Sequence, residues 1–164
     1  QAGRRRRFPR KARPGAQGQV ISIRTAAAGD LDAVCAIERE GHARWSRRQF
    51  ADELGLNFSR FYVMEEDGTI VGFAVAWIVA DEIQLNNIGI MKDRRLRGLG
   101  SRLLERIISD ARGTHDPVKI FLEVSARNTV AQTFYRKAGF VETGRRKNYY
   151  DGVDAILMER VLTR

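Results

Sequence analysis

The chain has 164 residues, 43% apolar and 30% charged, which is the size and balance of one globular domain with a real core. No apolar run nears the ~18–20 residues of a membrane helix or forms a signal-peptide core; the longest, residues 71–80, already contains Gly72. A single cysteine, Cys35, excludes an internal disulfide framework and a cysteine-based zinc site, and His42 and His115 have no ligand spacing, so no metal is expected.

The net charge of +9 is unevenly placed. Seven of the 29 basic residues and none of the 20 acidic ones fall in residues 1–19, so the remainder carries only +2. Residues 1–19 also hold Pro9, Pro14 and three glycines. They have little to bury and read as a basic, disordered tail. The tail is either a solubilising extension or an arm that touches RNA or an acidic partner. Residues 20–164 read as a single domain, too nearly neutral to be a nucleic-acid binder by bulk charge.

From Val20 the pattern becomes periodic. Val20, Ile21 and Ile23 predict a strand. Asp30 is placed to cap a helix whose apolar stripe is Leu31, Val34, Cys35 and Ile37, which puts Cys35 in the core. Ser46 is placed to cap a second helix through Phe50 and Leu54 that ends near Gly55. Strands at 61–64 and 70–79 meet across Asp67-Gly68, a two-residue turn in which both positions want positive φ. A strand at 82–91 leads through a glycine-bearing loop into a helix reaching Arg112. A strand at 118–124 is followed by a helix at 128–138, with Val130, Phe134 and Ala138 as its core stripe and Gly139 at its C′ end. Strands at 140–146 and 153–162 complete the chain.

Three places could carry chemistry. In the strand 82–91, Ile83 and Leu85 fall on odd positions, but Ile88 and Ile90 on even ones. Such a slip would turn the apolar set to the opposite face unless an extra residue is absorbed across Asn86-Asn87. A β-bulge absorbs one and leaves backbone groups unpaired, open to an extended amide-containing ligand; the alternative is a strand buried on both faces, where parity carries no information. Next, Arg94-Arg95-Leu96-Arg97-Gly98-Leu99-Gly100-Ser101 opens a helix. Free N–H groups and the helix dipole favour a phosphate there, though a plain tight turn has the same look; neither the Walker nor the Rossmann pattern is present. Lastly, Glu123 is the lone carboxylate of Val118-Lys119-Ile120-Phe121-Leu122-Glu123-Val124, followed by Asn128 and Tyr135 in the next helix. A carboxylate on such a strand suits a general base. It could equally reach solvent or pair with Lys119, Asn128 could be an N-cap, and Tyr135 a core-edge aromatic.

Taken together, these places resemble a known family. Arg95-x-x-Gly98-x-Gly100 matches the pyrophosphate-loop motif of the GCN5-related N-acetyltransferases (GNAT), and Asn128 to Phe140 resembles the family's later N-x-x-A-x-x-x-Y-x-x-x-G-F signature. Arg44-Trp45-Ser46, Leu85-Asn86-Asn87-Ile88, Leu122-Glu123-Val124, Arg146-Lys147-Asn148-Tyr149-Tyr150 and residues 154–158 make the RimI group the closest likeness within it. That group acetylates the N-terminal alanine of a small-subunit ribosomal protein. The resemblance implies an α/β (α+β) fold: a mixed, mostly antiparallel sheet of about seven strands, a β-bulge in the fourth, and four helices. It implies a cytoplasmic enzyme that takes acetyl-CoA as co-substrate, uses no metal, acts on a protein N-terminus and is a monomer or weak dimer. By the same resemblance Glu123 is the general base and Tyr135 the general acid. Acetyl-CoA is met by Ile88, Gly89 and Ile90, by Arg95, Leu96, Arg97, Gly98, Leu99, Gly100 and Ser101, and by Asn128. Leu96, Lys147 and the short Asp151-Gly152-Val153 loop depart from the group's pattern, which leaves acceptor choice open to another N-terminus, a lysine or a small amine. A non-enzymatic reading, an RNA- or ribosome-binding adaptor acting through the tail, stands beside these.

Overall fold

The computed structural model describes residues 19–41 and 45–164. The basic tail, apart from Gln19, and Arg44 of the Arg44-Trp45-Ser46 motif lie outside them. In chain order the elements are β1 (Ile21–Thr25), α1 (Leu31–Arg39), α2 (Arg47–Leu54), β2 (Ser59–Glu66), β3 (Thr69–Val79), β4 (Glu82–Ile90), α3 (Leu99–Arg112), β5 (Lys119–Ser125), α4 (Thr129–Lys137), β6 (Val141–Tyr150) and β7 (Val153–Val161). The strands form one sheet in the order β1-β2-β3-β4-β5-β7-β6. Every neighbouring pair is antiparallel except β4 and β5. This is the seven-stranded mixed sheet with four helices that the sequence implies.

Helices on both faces explain the strand composition. In β2, Phe61 and Val63 pack toward α1 and α2, while Tyr62 and Met64 pack toward α3. In β3, Phe73 and Val75 face α1 and α2, and Ala74, Ala76 and Ile78 face α3. A strand covered on both sides reads as a continuous apolar run. In α3, Leu99, Leu103, Leu104, Ile107, Ile108 and Ala111 are buried, the stripe its period requires. Each large aliphatic side chain so covered contributes roughly 1.5–3 kcal/mol.

The turn and cap chemistry mostly follows expectation. Asp67 and Gly68 have φ of +51° and +83°. Ser46 Oγ accepts the Gln49 N–H at 3.2 Å while Gln49 Oε1 accepts the Ser46 N–H at 2.7 Å, a reciprocal cap on α2. Asp30 behaves differently. It sits in a 3₁₀ turn and gives α1 no side-chain cap. Its carboxylate instead accepts the Ala27 N–H at 2.8 Å and meets Arg24 at 2.7 Å, because a charged partner on β1 binds more strongly than a helix-end amide.

Two further differences are confined to the last third. In α4, Val130 is 69% exposed. The packed line is Ala131, Phe134, Tyr135 and Ala138, one step round the helix, because the larger ring of Tyr135 buries more area than Val130 could. β6 extends to Tyr150, since Asp151 and Gly152, at φ +43° and +87°, reverse the chain in two residues.

Candidate active site

The bulge lies where the slip in parity points. Val75 pairs with Asn87 and Ala76 with Leu85, so Asn86 is the extra residue. Ile83, Leu85, Ile88 and Ile90 thereby all pack on the α3 side. The bulge also ends the parallel ladder. The last β4–β5 pair is Leu85 with Leu122. Beyond it β4 stays paired with β3, and β5 with β7 through Glu123, Val124 and Ser125. The two strands therefore part, and the inner edge of 86–90 faces the inner edge of 123–125 across a gap. Half-buried Ile88, Ile90 and Met91 line one wall, and Ala126, Ala131 and Phe134 the other.

The loop between β4 and α3 closes one end. Met91 donates to the Val71 carbonyl at 2.8 Å and Lys92 to Glu40 at 2.7 Å. Arg94 and Arg97 both reach the buried Glu66, at 3.1 Å and 3.0 Å. Arg97 is thus engaged by protein and staples the loop to β2, so only its backbone is left for a ligand. Arg95 donates to the Ile90 carbonyl at 3.1 Å. Leu96, fully exposed, has φ +62°, and Gly98 has φ +75°. Gly98 is the N-cap of α3, so the N–H groups of Leu99, Gly100 and Ser101 are the first of the helix and lack acceptors within it, with the dipole behind them. The Leu99 side chain is in the core. A Cβ on Gly100 would meet the Phe134 ring at 3.1 Å; this glycine is needed to seat α3 against α4.

Glu123 and Tyr135 approach the gap from opposite sides of β5. Ile120, Leu122 and Val124 point to α3, while Phe121 and Glu123 point the other way. On that other face the core under α1 and α2 takes residues from β2 and β3 only, among those described. Among the described residues no helix packs on the face of β5, β7 and β6 that carries the half-buried Phe121, Glu123 and Leu157. Glu123 meets Arg146 of β6 at 3.2 Å. Lys119, its expected partner, pairs instead with Glu82 and Glu159. Arg146 lies 5.5 Å from the Tyr149 ring, which stands edge-on to Tyr150. Tyr135 is buried on α4 between Phe134 and Phe140, with ring centroids at 5.3 Å and 5.5 Å. Burial first, then the charge of Tyr150, pushes its phenol well above the ordinary value. Burial first, then the charge of Glu123, raises the Tyr150 phenol as well. Asn128 Oδ1 accepts the Ala131 N–H at 3.1 Å; the carboxamide caps α4 through its oxygen.

Glu123 and Tyr135 thus lie on opposite faces of β5, the strand that parts from β4 after Leu122. The Acetyltransferase (GNAT) family profile matches residues 30–140. The chain belongs to this family. Over 136 residues it is 38% identical to the [ribosomal protein bS18]-alanine N-acetyltransferase of Escherichia coli K12, covering 79% of this chain and 89% of that one. It is 32% identical over 126 residues to the N-alpha-acetyltransferase RimI of Mycobacterium tuberculosis, covering 73% and 77%. The crystal structure of the ribosomal-protein-S18-alanine N-acetyltransferase from Escherichia coli superposes with a TM-score of 0.78 at 33% identity, covering 88% and 96%. A GNAT acetyltransferase from Elizabethkingia anophelis, solved with acetyl-CoA bound, shares the fold at a TM-score of 0.70 and 21% identity. This GNAT chain is an acyltransferase of the N-acetyltransferase class.

The sequence pattern did not single out Glu38. It is buried, and its carboxylate accepts the Asn87 Nδ2 at 2.9 Å and the Trp45 N–H at 3.2 Å. It therefore ties α1 and the start of α2 to the bulge. The available signal was its place four residues after Val34 on the buried line. Burial raises its pKa above the usual carboxylate range, against the two hydrogen bonds. A raised folded value means a contribution complete below the unfolded value of about 4.3 and lost as pH rises through the folded one. The stability of wild type relative to Glu38→Gln is therefore expected to fall as pH rises above the unfolded value, read from urea midpoints at acid and at neutral pH. Glu38→Ala, which strands both donors, is expected to cost roughly 1–3 kcal/mol.

Proposed function

We propose that this GNAT enzyme moves the acetyl group of acetyl-CoA onto the α-amine of an N-terminal alanine of a small-subunit ribosomal protein, by direct transfer in the cytoplasm. The observation that carries this reading is the placement of Glu123 and Tyr135 on opposite sides of one split in the sheet. The 38% identity to an enzyme named for that substrate supports it.

The residues present fit the co-substrate. Backbone groups of Ile88, Gly89 and Ile90 lie on a strand edge that β5 has left, which suits the amides of a pantetheine arm. The N–H groups of Leu99, Gly100 and Ser101, behind two left-handed residues, suit a pyrophosphate. Asn128 Nδ2 adds a donor. When bound, acetyl-CoA supplies an activated acyl carbon and a thiolate leaving group.

Glu123 takes the proton of the acceptor's ammonium group, with Arg146 giving way to the incoming cation. An α-amine has a pKa of about 8 against about 10.4 for lysine, so deprotonation costs roughly 3 kcal/mol less. The N–H of Ile88 or Ile90 stabilises charge developing on the acyl oxygen. Tyr135 keeps its proton at neutral pH and hydrogen-bonds the sulfur as the C–S bond breaks, and the second proton, lost by the nitrogen as the amide forms, passes to the departing thiolate. Because burial weakens the phenol as an acid, its assistance is moderate: Tyr135→Phe is expected to lower kcat by about 10²-fold or less, with thermal stability and acetyl-CoA binding near normal. Unchanged kcat would make Tyr135 a packing residue.

The deciding experiment is a mass-spectrometric assay of a panel of peptides with different N-termini, each also carrying an internal lysine, incubated with acetyl-CoA. Acetylation at the α-amine, with alanine preferred, is expected. Modification of lysine alone, or of nothing, would overturn the assignment.

A further inference from the structure

Resting on the acetyl-transfer reading above, we infer that the Asn86 side-chain amide donates a hydrogen bond to the carbonyl oxygen of the acceptor's first residue, and so selects the end of a peptide over an isolated amine. Asn86 is the extra residue of the bulge. Ile83 and Leu85 before it and Ile88 and Ile90 after it all pack on the α3 side. Two successive residues, Asn86 and Asn87, must then face away from α3, and the contact of Asn87 with Glu38 on α1 shows toward which side. That side is the side of Glu123. Gln84 pairs with Phe121 and Leu85 with Leu122, so one further step brings Asn86 abreast of Glu123, across the point where the strands part.

Asn87 has its partner, but Asn86 does not. Its Nδ2 is buried and, among the described residues, meets no hydrogen-bond acceptor. A buried donor left unpaired carries its full desolvation cost, and such groups are uncommon enough in folded proteins to need a reason. An amide N–H cannot accept from an ammonium ion; it needs an oxygen. In an N-terminal residue the amine nitrogen and the carbonyl oxygen are joined through Cα and C and lie within about 3–4 Å of each other. Glu123 can then hold the amine while Asn86 holds the carbonyl, a two-point grip. A lysine ε-amine has only methylenes at that place and would leave the donor facing hydrocarbon. A site built to pair a polar group discriminates strongly against a ligand that lacks it.

The test uses an alanine-initiated peptide and its analogue with an alkene in place of the first peptide bond, which keeps the shape and removes the carbonyl oxygen. Wild-type enzyme is expected to lose about 10–100-fold in kcat/KM on the analogue. Asn86→Leu, close in volume and without a donor, is expected to lose a similar factor on the normal peptide and to treat the two substrates alike. Its acetyl-CoA thermal shift should match wild type. Asn86→Ser, which keeps a hydroxyl donor, should recover part of the discrimination and carries the same comparison if the leucine variant fails to fold. An equal loss on both substrates would place Asn86 on the thioester and overturn the inference. So would a wild-type enzyme indifferent to the missing oxygen, while leaving acetyl transfer to N-termini intact. Wild type inactive on every N-terminus would instead remove the transfer reading, and this inference with it.

Discussion

Glu123→Gln is expected to lower kcat at neutral pH by about 10²–10⁴-fold. The substitution preserves shape and removes the charge and with it the capacity to take a proton. It also leaves Arg146 without its anion, but that guanidinium is 55% exposed, and losing a surface partner costs little. The variant should therefore fold, which near-wild-type thermal unfolding would show. Two roles for Glu123 are separated by the result. As the base, it governs turnover and leaves acetyl-CoA affinity unchanged. As a counter-ion that merely positions β6 through Arg146, it affects the acceptor KM and leaves kcat alone. Arg146→Met distinguishes them further, because it disrupts the pair while keeping the carboxylate. Retained kcat in Glu123→Gln would sink the base assignment and pass the proton to water or another group.

The second large effect is expected at Gly98. Gly98→Val should weaken acetyl-CoA binding by tenfold or more in a chain that stays folded, measured by isothermal titration. A Cβ there would meet nothing within 4 Å, so the protein has room for it. The difficulty is the backbone, at φ +75°, where an ordinary L-residue pays about 1–2 kcal/mol and a β-branched one more. Relief requires the loop to leave the left-handed region, which turns the N–H groups of Leu99, Gly100 and Ser101 away from the pyrophosphate. Gly98→Asn is the matched control, because asparagine tolerates that conformation. It should bind nearly as wild type does. If Gly98→Asn is as weak as Gly98→Val, the glycine is needed for close approach of the ligand and not for its φ. Unchanged affinity in a folded Gly98→Val chain would remove the loop from the binding site.

Much of this site could be read before any coordinates, and the reasons are local. Parity slips between Leu85 and Ile88, which left two readings, an absorbed residue or a strand buried on both faces; the register of β3 with β4 has the absorbed residue, at Asn86. Ser46 with Gln49, Asp67 with Gly68, and Gly98 at a helix start are signals carried within four residues. Glu123 and Tyr135 were singled out as the base and the acid by resemblance to the family alone. The alternation of β5 was enough to put Glu123 on the face away from Leu122.

Local pattern could not supply partners. Arg146 lies 23 positions after Glu123 and reaches it only because β7 inserts between β5 and β6. Glu38 and Asn87 are 49 residues apart and meet because α1 lies across β4. Asp30 looked like a helix cap until Arg24 was brought beside it. Val130 fitted a helical line as well as Tyr135 did, and only the shape of the neighbouring core decided between them. The sequence by itself determined most of the strands, the helices and the tight turns and pointed to the bulge, because each depends on backbone preference and periodicity over a few residues. Which charges pair, which carboxylate is buried, and that β4 and β5 part beside Glu123 were decided by tertiary structure alone, because these depend on distances between segments that no local pattern encodes.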